Sequence, residues 1–489
     1  MSGLVKKFAK DTAIYGLAAV LPKIINVLLV KLHTAVIDDP AAYSNVSQFY
    51  IYAVYFNVLL TFGMETAFFR FFTKLNHNPK VLQTAFTFVF ASGMVFLGMF
   101  LLFARQISGF LDIDSLYYKI LIIILILDTW VVIPYAYLRV QGKSLKFASF
   151  RIINVLIYVF FNLIFLLALP YLLKQGISTP KILIDFNDNH QKVVYIFISN
   201  LIASAITFLL FLPILKQFKL GIDKKLLKKM LAYGIPIMIA GLAYATNENA
   251  DKLFIGKLIS RDVMGKYAAV YKIGALMALY VTAFKLGAEP FFFSQSKDKN
   301  HKNQYAKILL WFTIFGALFI VGIIVFLPLI VKLLIGNTVY LDTLNIVPVI
   351  LIAYLFFGIY NNLSVWYKLT EKTRFAMYLS LMGAIITIVF NLVMIPKIGY
   401  MASAWATLAA YSLMAIVSFL FGQKHYKIDY PHWRILFYII SSGLLAWGLF
   451  KYFYGNFVIN FTGLLLYILL IIVLEKEDLK KLLNKPIDK

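Results

Sequence analysis

Apolar runs of about 20 residues recur from one end of the chain to the other, parted by short polar stretches. A run of that length crosses the ~30 Å hydrocarbon core of a bilayer as a helix. The pattern predicts fourteen such helices. The first lies at Thr12–Leu32, the second at Asn45–Phe62, the seventh at Met230–Thr246, the eighth at Val263–Ala288 and the last at Phe457–Leu474. The connecting segments are short. The longest, around Tyr171 to Lys192, contains no phosphate-binding glycine loop and no low-complexity linker.

Composition agrees with that reading. The chain is 62% hydrophobic and 14% charged, whereas a soluble domain averages about 45–50% and roughly 25%. The expected fold class is therefore all-α and polytopic in a membrane. The net charge of +25 would fit a nucleic-acid partner. Lysines flanking membrane helices have a simpler cause, because cytoplasmic loops concentrate Lys and Arg, so no nucleic acid is expected. Cysteine is absent and the six histidines are scattered, which excludes disulfides and gives no metal-ligand spacing.

The charge of the loops sets the orientation. With the N-terminus inside, the inner segments hold Lys6, Lys7 and Lys10, then Lys74 and Lys80, then Arg139, Lys143 and Lys146. They continue with Lys216 to Lys229, Lys297 and Lys299, Lys368 and Lys372, and Lys424 and Lys427. Most outer segments are poor in basic residues. The segment after the seventh helix is the exception, with Lys252, Lys257 and Arg261. An even number of spans with both termini cytoplasmic fits the alternation.

The chain also repeats itself. "GMETAFFRFF" from Gly63 aligns with "GAEPFFFSQ" from Gly287, which pairs Glu65 with Glu289. "KKFAKDTAIYG" from Lys6 aligns with "KKLLKKMLAYG" from Lys224, and "FNL" at Phe161 with "FNL" at Phe390. Six crossings return the chain to its starting side, so the halves are parallel. The expected domains are residues 1–220 (helices 1–6), residues 221–425 (helices 7–12), and an unduplicated piece, residues 426–489, with helices 13 and 14 and a tail. Parallel repeats of this kind are characteristic of alternating-access transporters.

Ionisable groups at membrane depth each cost ~2.5–3.5 kcal/mol, so each needs a reason. Lys23 falls on helix 1, Asp128 on helix 4, and Lys272 and Lys285 on helix 8. Lysines outnumber the carboxylate, and a cationic cavity favours an anionic substrate such as a phosphate. Bland readings stand beside this one. Lys285 and Glu289 are four apart and fit a helix pair. Lys23 and Asp128 fit a buried pair. Glu65, Arg70 and Glu289 close equivalent helices, and fit either pairs with basic loops or a cytoplasmic gate. Asp128 is the candidate for ion coupling.

The stretch "NENADKLFIGKLISRDVMGKYAAVYKIGALMALYVTAFKLGAEPFFF" and the ending "GMETAFFRFF" resemble polysaccharide exporters. These include the O-antigen-type lipid-linked oligosaccharide flippases of the multidrug/oligosaccharidyl-lipid/polysaccharide superfamily. The resemblance implies two six-helix bundles plus two extra C-terminal helices, around a cationic cavity lined by Lys23, Lys272 and Lys285. Its flippases often carry Arg where this chain has Lys. It implies movement of undecaprenyl-pyrophosphate-linked oligosaccharide across a bacterial inner membrane, without cofactor. Membrane lipids and a polysaccharide polymerase or glycosyltransferase are the partners it suggests. A multidrug or cation antiporter of the same superfamily is the main alternative, and an acidic cavity would favour it. An enzyme of the same sugars would need a large outer loop, which is not visible. A scaffold would not need intramembrane lysines.

Overall fold

The computed structural model describes residues 3–176, 189–295, 301–370, 372 and 374–483, and among them it contains helices and no strand. Side chains of residues 3–13, 189–191, 289, 290, 293–295, 479 and 481–483 lie outside the description. So do Lys297, Lys299 and the middle of the long outer loop.

Fourteen helices are long and apolar enough to cross a membrane. We label them in chain order. α1 is Ile14–Val36, α2 Pro40–Lys74, α3 Pro79–Leu102, α4 Ser115–Val140, α5 Ser144–Lys174, α6 Lys192–Leu215 and α7 Lys224–Leu258. α8 is Arg261–Ala288, α9 His301–Val325, α10 Thr338–Leu369, α11 Arg374–Ile398, α12 Met401–His425, α13 His432–Phe453 and α14 Phe457–Leu474. Large apolar side chains stay exposed along many of them, among them Leu102, Val458 and Val473. Such surface is stable against lipid and not against water. The chain is a membrane protein.

The polar stretches between runs act as helix starts. Asp39 accepts the Ala41 amide at 2.8 Å with Pro40 in the first turn, and Asn78 accepts the Lys80 amide at 2.9 Å ahead of Pro79. Asp114 starts α4 and Asp223 starts α7 in the same way. Each side chain takes up a donor that the first helical turn leaves unpaired.

Two features depart from the run lengths. α7 continues three turns past the expected Thr246, to Leu258. Lys252 and Lys257 therefore belong to the helix and not to an outer loop. α2 is broken at Phe62 and Gly63, which have φ of 50° and 64°, and restarts as Met64–Lys74. Gly287, its partner in the repeat alignment, sits inside a continuous helix.

Contacts divide the chain into two compact units. The first gathers residues 1–269, 336–343 and 373–406, and the second residues 270–335, 344–372 and 407–489. Within the first, α1 packs on α5 and α7 packs on α11. In the same unit α2 and α3 pack on α4; in the second, α8 and α9 pack on α10. Helices six positions apart in the order thus take the same neighbours. The "FNL" asparagines keep the same chemistry too. Asn162 and Asn391 are both fully buried, and each donates to the carbonyl four residues back at 2.7 Å. Their side-chain oxygens face His33 and Ser403 at 2.9 and 2.6 Å.

Candidate functional site

The first unit contains a polar seam where α7 meets α8, α11 and α2. Its sequence is "NENADK", and the seam explains why α7 tolerates those residues. Thr387 donates to the Asn247 oxygen at 3.2 Å, and the Asn247 amide reaches the Ser380 carbonyl at 3.3 Å. One turn on, Asp251 and Lys252 form an ion pair at 2.9 Å with almost no exposed surface. Tyr267 of α8 donates to the same carboxylate at 3.1 Å, and the ammonium also donates to the Glu248 carbonyl at 2.8 Å. Pairing and added hydrogen bonds offset the cost of burying both charges. Two of the basic residues that broke the loop-charge rule are thereby explained as parts of α7.

Arg261 explains the third. It opens α8 and reaches across to the end of the short helix Ala104–Leu111. Its guanidinium pairs with the Asp112 carboxylate, donates to the Asp112 carbonyl at 2.7 Å and donates to the Gln48 side-chain oxygen. Gln48 and Tyr52 cover the Leu111 carbonyl at 2.9 and 2.8 Å. A cation and several donors at a helix C-terminus suit its unpaired carbonyls and its dipole. Arg261 and Asp112 both line two hollows. One, of about 310 Å³, is lined by Tyr52, Tyr55, Thr246, Lys257 and Arg261. The other, of about 630 Å³, is lined by Asp39, Asn45, Asp112, Asp114 and Arg261.

The expected site residues fall as follows. Lys23 lies in the first unit, one residue after the proline inside α1, with its side chain exposed from the protein. Lys272 and Lys285 lie on α8 in the second unit, and both are exposed. Lys285 borders a small recess with Phe284, Phe312, Asn361 and Asn362. Among the described residues the buried Asn362 oxygen has no hydrogen-bond partner, and the recess has room for about one water, which would supply it.

Asp128 is half-buried on α4, accepts a hydrogen bond from Ser204 and has Arg151 as its nearby cation. Arg151 in turn lies 4.5 Å over the Tyr135 ring. Glu65 pairs at 3.1 Å with Arg139, which comes from α4 in the same half of the chain. Arg70 does reach the other half of the repeat, with its guanidinium 4.3 Å over the Tyr233 ring of α7. The Glu289 side chain lies outside the described residues. Among those described, no group of three or more His, Asp or Glu could hold a metal.

Sequence reasoning gave Glu65 a basic inner segment as partner without singling out Arg139, and missed Arg151, Arg261 and Tyr233 as partners. Each pairs with a residue far away in sequence, and no local spacing marks such a pair.

A family described as MatE matches residues 236–393, from within α7 to within α11. No curated protein matches the chain. Among solved structures, the lipid II flippase MurJ in an inward closed conformation is similar with a TM-score of 0.71 at 16% identity, over 96% of this chain and 100% of that one. An inward-facing multidrug resistance MATE family transporter of the MOP superfamily gives 0.62 at 11% identity, over 86% of this chain and 96% of that one. A MATE protein in the straight conformation gives 0.57 at 11% identity, over 86% and 95%. The chain has the fold of MOP-superfamily transporters.

Proposed function

We propose that this protein is an alternating-access flippase for an anionic lipid-linked oligosaccharide, such as an undecaprenyl-pyrophosphate-linked polysaccharide precursor. The observation that carries the reading is the likeness to a lipid II flippase along its whole length, with fourteen helices able to span a membrane. The excess of Lys23, Lys272 and Lys285 over acidic groups on the same helices supports an anionic headgroup. Asp128 is the residue proposed for ion coupling. The lysine pattern supports a bacterial inner-membrane protein with both ends cytoplasmic. A polysaccharide polymerase or glycosyltransferase would supply or take up its substrate.

At the inner end the proposed gate now centres on Arg70 and its contact with Tyr233, with Glu65 steadying Arg139 and Glu289 as the second carboxylate. The multidrug antiporter reading keeps its own support from the MatE match and the MATE structures.

Reconstitution into liposomes separates the two. A labelled lipid-pyrophosphate oligosaccharide should cross with the parent, and cross at least tenfold more slowly with Lys23→Ala or Lys272→Ala, about 1.4 kcal/mol per decade. Efflux of a cationic dye with no movement of the labelled lipid would select the antiporter.

A further inference from the structure

Lys74, Lys80, Lys225 and Lys229 line one recess of about 380 Å³ in the first unit. Lys74 ends α2, Lys80 lies in the first turn of α3, and Lys225 and Lys229 lie in the first two turns of α7. Phe71, Leu75 and Leu226 give it an apolar floor. Among the described residues the one carboxylate on its wall is Asp223, which is occupied in accepting the Leu226 amide at 3.0 Å. The N-termini of α3 and α7 meet there, and each adds partial positive charge.

Four exposed lysines lining one hollow raise the positive potential there and favour an anion in it. The apolar floor selects an anion that carries carbon. The recess also joins segments from both halves of the repeat, beside the contact of Arg70 with Tyr233.

We infer that this recess binds the phosphate of an anionic phospholipid headgroup, with the glycerol and first acyl carbons on Phe71, Leu75 and Leu226. The inference goes beyond the transport reading and does not use its substrate site. It rests on the orientation proposed above, which puts these lysine-rich helix ends at the anionic cytoplasmic leaflet, where each lysine near the surface adds attraction. A lipid held there ties the end of α2 to the start of α7.

Native mass spectrometry of the delipidated full-length protein tests this. Phosphatidylglycerol and phosphatidylcholine with the same acyl chains are titrated separately. The parent should retain phosphatidylglycerol at least about tenfold more tightly. The variant K74Q/K80Q/K225Q/K229Q should lose that preference, while K368Q/K372Q/K424Q/K427Q, with equal charge removed elsewhere, should keep it. If the fourfold variant does not match the parent's unfolding temperature without lipid, K80Q and K229Q singly are each expected to weaken retention severalfold. Equal loss in the comparator, or no preference in the parent, overturns the site. Complete displacement by inorganic phosphate overturns the lipid as its occupant.

Discussion

Asp251 and Lys252 are neighbours on α7, and both are buried. Removing one partner leaves an uncompensated charge, which costs about 3–5 kcal/mol. Asp251→Asn and Lys252→Met are each expected to lower the unfolding temperature in detergent by an amount on that scale. The double variant should recover much of the loss, because no bare charge then remains. Arg261 predicts something different, since its ionic partner Asp112 is exposed and its remaining partners, the Asp112 carbonyl and the Gln48 amide oxygen, are uncharged. Arg261→Gln should change stability little, yet loosen the wall shared by the two hollows. The natural chain has no cysteine, so a single Thr246→Cys can report this, with faster thiol labelling expected in the Arg261→Gln background. Unchanged labelling would show that Arg261 does not close the hollow. These pairs were only half legible in the sequence. The charge-rule exception at Lys252, Lys257 and Arg261 signalled that something unusual was there. The partners Tyr267 and Asp112 could not be read, because burial and distant contacts leave no periodic trace.

The helices themselves were largely legible, since hydrophobic length fixes a membrane span with little competition from other elements. The errors lie where polar residues are satisfied inside the protein. The apolar run of α7 stops at Thr246, but its helix does not stop, because the seam of Asn247, Asp251 and Lys252 is paired. The repeat alignment placed Gly63 and Gly287 together, and their geometry differs. Gly63 adopts φ 64°, and a Cβ there would meet the Gly234 carbonyl oxygen at 2.3 Å. Gly63→Ala should therefore destabilise by about 1–3 kcal/mol through backbone strain, before any cost of moving α7. Gly98, in α3, has open space around its missing Cβ. Gly98→Ala is expected to be neutral or stabilising by up to about 1 kcal/mol. Equal losses in both variants, measured by thermal unfolding, would contradict this account of the break.

At the scale of the whole chain, fourteen spans and the lysine distribution make one topological claim. Reporter fusions at residues 1 and 489 should both register the cytoplasm. A fusion after Asp114, between α3 and α4, should register the opposite side. The two additional helices can be tested through their own polar anchor. Arg434 pairs with both Glu475 and Asp478, and Tyr438 donates to Glu475 at 2.7 Å. Glu475 is buried although Arg434 is half exposed. Arg434→Ala should cost about 1–3 kcal/mol, less than a fully buried pair, and free the C-terminal end to limited proteolysis. That anchor was not legible either, because Glu475 falls just past the last apolar run and reads as an ordinary tail charge.

The meeting of Gly63 with Gly234 has a thermodynamic consequence. Two glycines bring backbone against backbone with no side chains at the point of contact. Lipid is as apolar as a leucine side chain, so the cohesion of such a contact comes from close van der Waals packing and not from hydrophobic burial. A methyl group on either glycine would hold the two backbones apart and forfeit that packing along the turns beside it.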